Sequence, residues 1–231
     1  MPKHTRPHRG LSMLRPALVR GRRVCYQDGV APIYPELTGV ILAGGRNRRM
    51  SGRNKALLPL GEERFIDRLI GLFDPLFGRV MIVTNKPLDF SDLPVGVVRD
   101  LKVNQGAIMG LITALLYAPT DWVFVSACDT PLLQESLIRL IVDSITPRQK
   151  IVVPSLPEGF QSLTAAYHCH CLPPLRRLFT SGQRAIRLIY PQLPVCYLKP
   201  DQLKPADPAG RSFFNVNSPQ DLVELERLRR L

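Results

Sequence analysis

The sequence predicts an α/β fold in which a mostly parallel central sheet lies between two layers of helices. Short apolar segments rich in β-branched residues alternate along the chain with segments whose apolar residues recur at helical spacing. The strand-like segments are apolar at consecutive positions, which is typical of strands that are buried on both faces of a parallel sheet. The chain has 231 residues and is 45% apolar. A chain of this size and composition can form a substantial core without disulfides.

Five segments have the length and composition of buried strands, and helices are predicted between them. The strands are expected at 38–43, 79–84, 95–98, 122–127 and 151–154. The helices are expected around 65–73, over 108–117, after 130–131 and after a capping-box arrangement at 218–221. We expect Thr130 to cap its helix, because threonine accepts hydrogen bonds from a first turn and Pro131 suits the first helical position. Residues 157–197 are less regular, so short strands and helices are expected there.

Residues 1–36 differ in composition from the rest of the chain. They contain seven lysines and arginines, two acidic residues, five prolines and little apolar periodicity. This composition favours disorder. The segment also lacks the 7–15-residue apolar core of a secretory signal. We therefore predict a basic, disordered extension over 1–36, followed by one domain over 37–231.

The bulk properties also limit the location and the partners. No apolar run reaches the roughly 18–20 residues that a membrane span needs. The five cysteines are irregularly spaced, which indicates free thiols in a reducing compartment. The net charge of +12 suits binding of nucleotides or nucleic acid, but no nucleic-acid-binding motif or aromatic-interleaved basic run is present. We expect a cytoplasmic protein with no membrane association and no nucleic-acid partner.

Histidine and cysteine alternate over residues 168–171, a composition that invites a zinc hypothesis. If the segment is a strand, alternate side chains point to opposite faces, so at most two of the four converge. No other ligand pair with metal-binding spacing occurs in the chain. The sequence therefore predicts free thiols rather than a zinc site.

Polar residues follow the predicted strands, at the edge where open parallel sheets bind their ligands. The first strand leads into a glycine-rich, basic loop over 44–55, which includes Arg49 and Lys55. Glycines let backbone N–H groups approach a phosphate closely, and the cationic side chains suit a triphosphate. The spacing matches neither the dinucleotide fingerprint nor the P-loop. A basic surface loop with turn glycines is the alternative.

Single polar residues follow the next three strands. Asn85, Asp100 and Asp129 stand at the ends of the second, third and fourth strands. A carboxylate at the position of Asp129 can hold Mg²⁺, which prefers oxygen ligands. The alternatives are a helix-capping role for Asp129 and turn roles for Asn85 and Asp100.

Five motifs in order resemble those of the molybdenum cofactor guanylyltransferases. They are L-A-G-G-x-x-x-R-M at 42–50 with Lys55 and L-L at 57–58, G-A-I-M-G at 106–110, C-D-T-P at 128–131, Q-S-L-T-A at 161–165 and F-N-V-N-S-P at 214–219. The paired glycine of the first motif is typical of this family, whereas related cytidylyltransferases more often have L-A-A-G. The resemblance covers roughly residues 37–228.

The resemblance implies a Rossmann-like, three-layer nucleotidyltransferase fold. It implies that Mg²⁺ and GTP are bound and that GMP is transferred to molybdopterin with release of pyrophosphate. Molybdoenzymes, or other proteins of cofactor biosynthesis, are the expected protein partners. The residues that it assigns to the nucleotide are Leu42, Ala43, Gly44, Lys55, Asn85 and Asp100. It assigns Asp129 to the metal, Lys55 and Arg49 to the departing pyrophosphate, and Asn215 or Asn217 to the surroundings of the metal or phosphates.

One departure from the family pattern affects the expected activity. The family usually has aspartate before the lysine, but here Asn54 precedes Lys55. Two alternatives stay open beside guanylyl transfer, and this departure bears on the second. One is a related nucleotidyltransferase that uses CTP or another phosphorylated acceptor. The other is a non-catalytic nucleotide-binding adaptor.

Overall fold

The computed structural model describes residues 31–45 and 54–229. In chain order, the strands are β1 (Tyr34–Leu42), β2 (Pro59–Leu60), β3 (Glu63–Arg64), β4 (Phe77–Thr84), β5 (Gly96–Arg99), β6 (Trp122–Ala127), β7 (Ile151–Leu156), β8 (Gly159–Phe160), β9 (Thr164–His168) and β10 (Val195–Leu198). The α-helices are α1 (Phe65–Phe73), α2 (Ala107–Tyr117), α3 (Glu135–Asp143), α4 (Leu172–Thr180), α5 (Pro200–Leu203) and α6 (Pro219–Arg229).

The central sheet is mostly parallel, as the sequence predicts. Its strand order is β10-β7-β9-β6-β1-β4-β5, with β8 paired to β7. Strand β1 lies between β4 and β6 and is parallel to both. Strand β9 is antiparallel to both of its neighbours. The carboxyl ends of the parallel strands therefore share one edge of the sheet, and β9 ends at the opposite edge.

Helices cover both faces of the sheet and give the three-layer arrangement. Along β1, Ile41 belongs to the core that includes residues of α1 and α3. Its neighbour Val40 belongs to the core that includes residues of α2 and α4. Both side chains are fully buried because successive side chains of a strand point to opposite faces. This two-sided burial is why the strands are apolar at consecutive positions.

A small third core attaches the C-terminal helix to the start of the domain. Leu225 of α6 is buried with Leu60 of the β2–β3 hairpin, Phe65 and Val216. The predicted capping box at the start of α6 is present, because the Asp221 carboxylate accepts the backbone N–H of Ser218 at 2.8 Å. The packing of α6 brings the segment before it close to the segment that follows the basic loop.

The predicted helix start at Thr130 and Pro131 is wrong. Helix α3 begins at Glu135, with Gln134 as its N-cap residue. The Thr130 hydroxyl instead donates to the carbonyl of Ala127 at 2.8 Å and bonds the hydroxyl of Ser126 at 3.0 Å. Thr130 is therefore committed to the buried turn after β6, and the helix starts several residues later.

The start of the first strand also differs from the expectation. Strand β1 begins at Tyr34, whose N–H donates to the carbonyl of Leu76 at 2.7 Å. Pro35 and Glu36 are exposed, so this first part of the strand lacks the apolar signal of the rest. Residues 34–36 of the predicted extension therefore belong to β1 and not to a disordered segment. Residues 1–30 lie outside the described residues, and their disorder stays a prediction.

The expectation that at most two of residues 168–171 converge is also wrong. Strand β9 ends at His168, and a 3-10 helix over Cys169–Cys171 follows. The turn replaces the alternation of a strand, so ligand atoms of His168, Cys169 and His170 lie within 4.8 Å of one another.

Across the described residues, none of the helices combines the length and the apolar composition that crossing a bilayer demands.

Candidate active site

A cavity of about 530 Å³ opens at the carboxyl edge of the parallel strands. It lies where the order of strands predicts a ligand site, beside the ends of β1, β4 and β6. Five of the residues that the sequence analysis singled out border it, namely Leu42, Gly44, Lys55, Asp100 and Asp129. The cavity therefore lies at the predicted edge of the sheet, and it can hold a small molecule.

Lys55 is held by oxygen atoms from two distant parts of the chain. Its Nζ lies 3.1 Å from Asp129 Oδ2 and donates to Asn217 Oδ1 at 2.7 Å. The Lys55 and Asp129 side chains are 13% and 21% exposed, so the pair is partly shielded from water but open to the cavity. The ammonium group is thus fixed next to a carboxylate at the cavity wall.

Each member of this cluster is positioned by local structure. Lys55 begins a 3-10 helix, Asp129 follows β6, and Asn217 precedes α6. The backbone N–H of Val216 donates to the carbonyl of Asp129 at 2.8 Å, which joins the last two segments directly. The cluster therefore depends on the C-terminal helix docking in place.

Asn54 serves as the N-cap of the 3-10 helix that carries Lys55. Its Oδ1 accepts the N–H of Ala56 at 3.2 Å, as an aspartate oxygen at this position would. Its Nδ2 donates to Asp89 Oδ2 at 3.0 Å. The amide keeps the capping function that positions Lys55, and it adds a bond that a carboxylate cannot make.

A second polar cluster lies behind Gly44, and of its members Gly44 and Asp100 border the cavity whereas Asn85 does not. Asn85 Nδ2 donates to the carbonyl of Gly44 at 2.5 Å. Asn85 Oδ1 is buried and has no hydrogen-bond partner among the described residues. A Cβ placed on Gly44 would lie 3.5 Å from Asp100 Oδ2. Gly44, Asn85 and Asp100 therefore form one contiguous group, as their positions after three strands predict.

Asp100 is a buried carboxylate with a matched donor. Its Oδ1 accepts the hydroxyl of Thr113 at 2.8 Å, and Asp100 is 8% exposed. Burial raises the pKa of Asp100, and the hydrogen bond from Thr113 opposes this shift. The charged form is thus less stable here than in water, a condition typical of functional carboxylates.

The N-terminal end of α2 also faces the cavity. Gly106 and Ala107 border the cavity, and Gly106 has a φ of 80°, which glycine adopts without strain. The first N–H groups of a helix lack intrahelical partners, and the helix dipole is positive at this end. This end of α2 therefore suits an anionic group of a ligand.

The thiol of Cys128, in the C-D-T-P motif, is not a reactive nucleophile. Burial raises the pKa of the Cys128 thiol to about 12, and the neighbouring Asp129 carboxylate adds to the shift. Since thiolates rather than thiols are nucleophiles, Cys128 has a packing role.

Several residues of the sequence analysis are placed elsewhere. Ala43 is buried, its N–H donates to Val83 and its carbonyl accepts the hydroxyl of Thr84, so its backbone does not border the cavity. Asn215 is exposed and bonds the carbonyl of Phe213, whereas Asn217 joins the Lys55 cluster. Arg49 lies outside the described residues, so its predicted contact with pyrophosphate stays a prediction.

Arg184, which the sequence does not predict as a site residue, borders the cavity from the segment after α4. Its guanidinium lies 4.1 Å from the centroid of the Phe179 ring and donates to Gln105 Oε1 at 3.2 Å. This arrangement holds a cation against the cavity by stacking and hydrogen bonding. Arg184 lies in the irregular region of the sequence and belongs to none of the five motifs, so no sequence signal distinguished it.

The donor set at the cavity fits a magnesium ion bound together with a nucleotide. The Asp129 carboxylate and the Asn217 amide oxygen are hard oxygen donors, and both contact the Lys55 ammonium. Mg²⁺ is usually bound by one or two carboxylates together with substrate phosphates. The positive end of α2 and the Lys55 ammonium supply complementary sites for those phosphates.

The chain is similar over most of its length to known proteins. Residues 39–195 match the MobA-like NTP transferase domain. The chain is 34% identical over 190 residues to a molybdenum cofactor guanylyltransferase of Desulfosudis oleivorans. The alignment covers 82% of this chain and 94% of that protein. It is 31% identical over 195 residues to a probable molybdenum cofactor guanylyltransferase of Chloroflexus aggregans, which covers 83% and 94% of the two chains.

A solved structure shows the same fold. The crystal structure of molybdopterin-guanine dinucleotide biosynthesis protein A from Archaeoglobus fulgidus aligns with a TM-score of 0.72 at 24% sequence identity. The alignment covers 84% of this chain and 98% of that protein. With the matched domain and the identity to the guanylyltransferases, these findings show that the chain belongs to the family of MobA-like NTP transferases.

Proposed function

We propose that this protein transfers GMP from GTP to molybdopterin and releases pyrophosphate. The observation that carries the proposal is the convergence of Lys55, Asp129 and Asn217 at a cavity that is also bordered by Gly44 and the N-terminal end of α2. Relatives with at least 30% identity over most of the chain are named molybdenum cofactor guanylyltransferases. Membership of the family and the chemistry of the site support the same reaction.

The bond changes of the proposed reaction are simple. An oxygen of the terminal phosphate of molybdopterin forms a bond to the α-phosphorus of GTP, and the bond from that phosphorus to pyrophosphate breaks. The attacking phosphate is already ionised near neutral pH, so the reaction needs no general base from the protein. The protein positions the reactants and stabilises charge, as in phosphoryl transfer generally.

The described residues divide this work. Lys55, released from part of its contact with Asp129 when phosphates bind, pairs with the phosphate charge that develops on the leaving pyrophosphate. Asp129 and Asn217 would hold Mg²⁺, which neutralises phosphate charge and orients the triphosphate when it is bound. Gly44, Asn85 and Asp100 form the polar group next to the nucleoside. The Asn85 Oδ1 atom is buried and has no partner among the described residues, so it can accept a hydrogen bond from the nucleoside once the side chain moves toward the cavity.

The two alternative functions differ in what they predict. A related enzyme that uses CTP, or another phosphorylated acceptor, would keep the same cluster and release pyrophosphate with a different pair of substrates. A nucleotide-binding adaptor would bind GTP without releasing pyrophosphate. Asn54 caps the helix of Lys55 as an aspartate would, which removes one argument for the adaptor. We also propose a cytoplasmic location and hand-over of the product to molybdoenzymes or other proteins of cofactor biosynthesis.

The test replaces the two charged members of the cluster and measures the dinucleotide product by mass. Asp129→Ala should reduce turnover to the background, and Lys55→Ala should reduce it by roughly 10²–10³-fold, by analogy with the loss of one charge-stabilising contact. Asp201→Ala in the exposed start of α5 is the matched control and should retain full activity. Folded Asp129→Ala protein with substantial turnover would refute the assignment.

A further inference from the structure

A cluster of histidine and cysteine side chains lies at the opposite edge of the sheet from the cavity. The ligand atoms of His168, Cys169 and His170 lie within 4.8 Å of one another. Residue His168 pairs with Trp122, the first residue of β6, whereas Asp129 follows the last. At about 3.3 Å per residue, the length of β6 separates the two places by roughly 20 Å. The cluster therefore cannot share a ligand with the nucleotide cavity.

The spacing of the donor atoms matches a tetrahedral metal centre. Cys169 Sγ lies 3.6 Å from His168 Nδ1 and 3.7 Å from Asp121 Oδ1. Zinc bonds of about 2.3 Å to sulfur and 2.0–2.1 Å to nitrogen or oxygen, set at the tetrahedral angle, give edges of ~3.5 Å between the donor atoms. Two of the distances between donor atoms are therefore close to those around a bound zinc ion, even without an ion.

The backbone fixes two of these donors in place. The N–H of Cys169 donates to the carbonyl of Asp121 at 2.7 Å, and the N–H of His168 donates to the carbonyl of Lys150 at 2.9 Å. The rings of His168 and His170 contact each other edge-on, with centroids 4.5 Å apart. Metal binding would replace three hydrogen bonds at these atoms. They are the bond from the His170 N–H to His168 Nδ1 at 3.2 Å and the bonds of Cys169 Sγ with His168 Nδ1 and Asp121 Oδ1.

We propose that His168, Cys169 and His170 form a zinc-binding site, and that the Asp121 carboxylate, 3.7 Å from Cys169 Sγ, turns toward the ion as the fourth ligand. The donor set is one thiolate, two imidazoles and one carboxylate, which selects zinc over Mg²⁺ because sulfur and nitrogen ligands suit softer ions. The thiolate and the Asp121 carboxylate balance the charge of Zn²⁺. His168 and Cys169 are half-buried, whereas Asp121 and His170 are exposed, so an ion can enter without opening the core. The bound ion joins the loop before β6 to the turn after β9.

The position of Trp122 supplies a reporter for this site. Trp122 is the single tryptophan of the chain, and its ring lies 5.2 Å from the ring of His168, centroid to centroid. A paramagnetic Co²⁺ ion at the site would quench its fluorescence, whereas an ion at the distant cavity would do so far less. Co²⁺ bound to a thiolate also gives a charge-transfer absorption band that Mg²⁺ sites do not produce.

The experiment titrates the full, untagged, reduced chain with Co²⁺ in an excess of Mg²⁺. We expect one equivalent to produce the thiolate band and to quench Trp122 together, and Zn²⁺ to reverse both signals. Cys169→Ser should abolish the band, and His170→Ala should weaken Co²⁺ binding by at least ~10-fold, the lower end of the losses seen for less direct partners of a metal. Cys196→Ser removes another half-buried thiol outside the cluster and should bind as the unmodified chain does.

The outcomes separate this proposal from the proposed transferase function. Absence of the band from folded protein, or a band that persists in Cys169→Ser, would overturn the zinc site. If Cys169→Ser did not fold, His170→Ala would still decide, because its side chain is exposed. Turnover of GTP should be unchanged in Cys169→Ser, and its loss in every form of the protein would count against the transferase proposal alone.

Discussion

Restoring the aspartate that the family usually carries before the lysine should destabilise this protein. Asn54 Nδ2 donates to Asp89 Oδ2 at 3.0 Å, and both residues are half-buried. Asn54→Asp exchanges this hydrogen bond for two carboxylates that face each other at the same distance. The capping bond to Ala56 survives, since either side chain offers an oxygen. The change therefore isolates the contact with Asp89.

The cost can be bounded from the distance. Two unit charges about 3 Å apart repel by ~5 kcal/mol at an effective dielectric constant of 20. Exposure to solvent and movement of the side chains reduce this value, while loss of the hydrogen bond adds about 1 kcal/mol. We expect Asn54→Asp to lower the free energy of unfolding by roughly 1–3 kcal/mol, a range set by lost hydrogen bonds and unpaired charge.

A double-mutant cycle at neutral pH measures the contact. Asp89→Asn should destabilise the protein less than Asn54→Asp does, because the new amide still offers an oxygen to Asn54 Nδ2 and only the charge on the acceptor is lost. The exchanged pair, Asn54→Asp with Asp89→Asn, should recover most of the stability in urea unfolding, because the bond is then made in the reverse direction. Because the repulsion needs two ionised carboxylates, the deficit of Asn54→Asp should shrink as the pH is lowered into the range where carboxyl groups take up protons.

The predicted role of the Asp89 contact is wrong if Asn54→Asp is as stable as the unmodified chain and the exchanged pair gives no recovery. It would also be refuted if the deficit of Asn54→Asp grew on acidification. Either result would mean that the contact with Asp89 is not the reason an amide is accommodated at this position.

Further predictions follow from the packing and the charge of single residues. Gly39→Ala should destabilise the fold by about 1–3 kcal/mol in urea unfolding, because its Cβ would lie 2.4 Å from the Phe77 ring, and equal stability would contradict the packing. Asp100→Asn should stabilise the fold at neutral pH yet weaken GTP binding in calorimetry. Because burial raises the folded pKa of Asp100, its charge costs stability as the pH rises, so the gain should vanish under acid. Arg184→Ala should raise the KM for one of the substrates by about tenfold, which is the scale of one exposed charged contact. The melting temperature should not change. An unchanged KM would mean that Arg184 does not contact a substrate.

The sequence predicts those parts of the fold that depend on burial. Consecutive apolar residues reveal the strands because both faces of the sheet are covered, and 122–127 and 65–73 match strand β6 and helix α1 without adjustment. The start of α3 is missed because Thr130 and Pro131 have the residue types of a helix start. The competing hydrogen bonds of Thr130 to Ala127 and Ser126 depend on the tertiary structure of the turn.

Several residues that border the cavity are predicted because they follow strand ends, whereas Arg184 follows none and is missed. Asp100 and Asp129 are found because parallel strands bring their carboxyl ends to one edge. Arg184 enters the cavity from an irregular segment, held by stacking on Phe179, and that contact leaves no period or motif in the sequence. The cluster at His168 is misjudged because the alternation argument assumes a strand, whereas the chain turns into a 3-10 helix at Cys169.

The central claim is most directly tested by pyrophosphate release from purified protein with Mg²⁺ and each of GTP, CTP, ATP and UTP, with and without molybdenum-loaded molybdopterin. We expect release with GTP only when the acceptor is present, and little with the other nucleotides. Release with CTP would keep the cluster of Lys55 and Asp129 but contradict the assigned substrate. Absence of release from folded protein that binds GTP would contradict the claim that this chain is a guanylyltransferase.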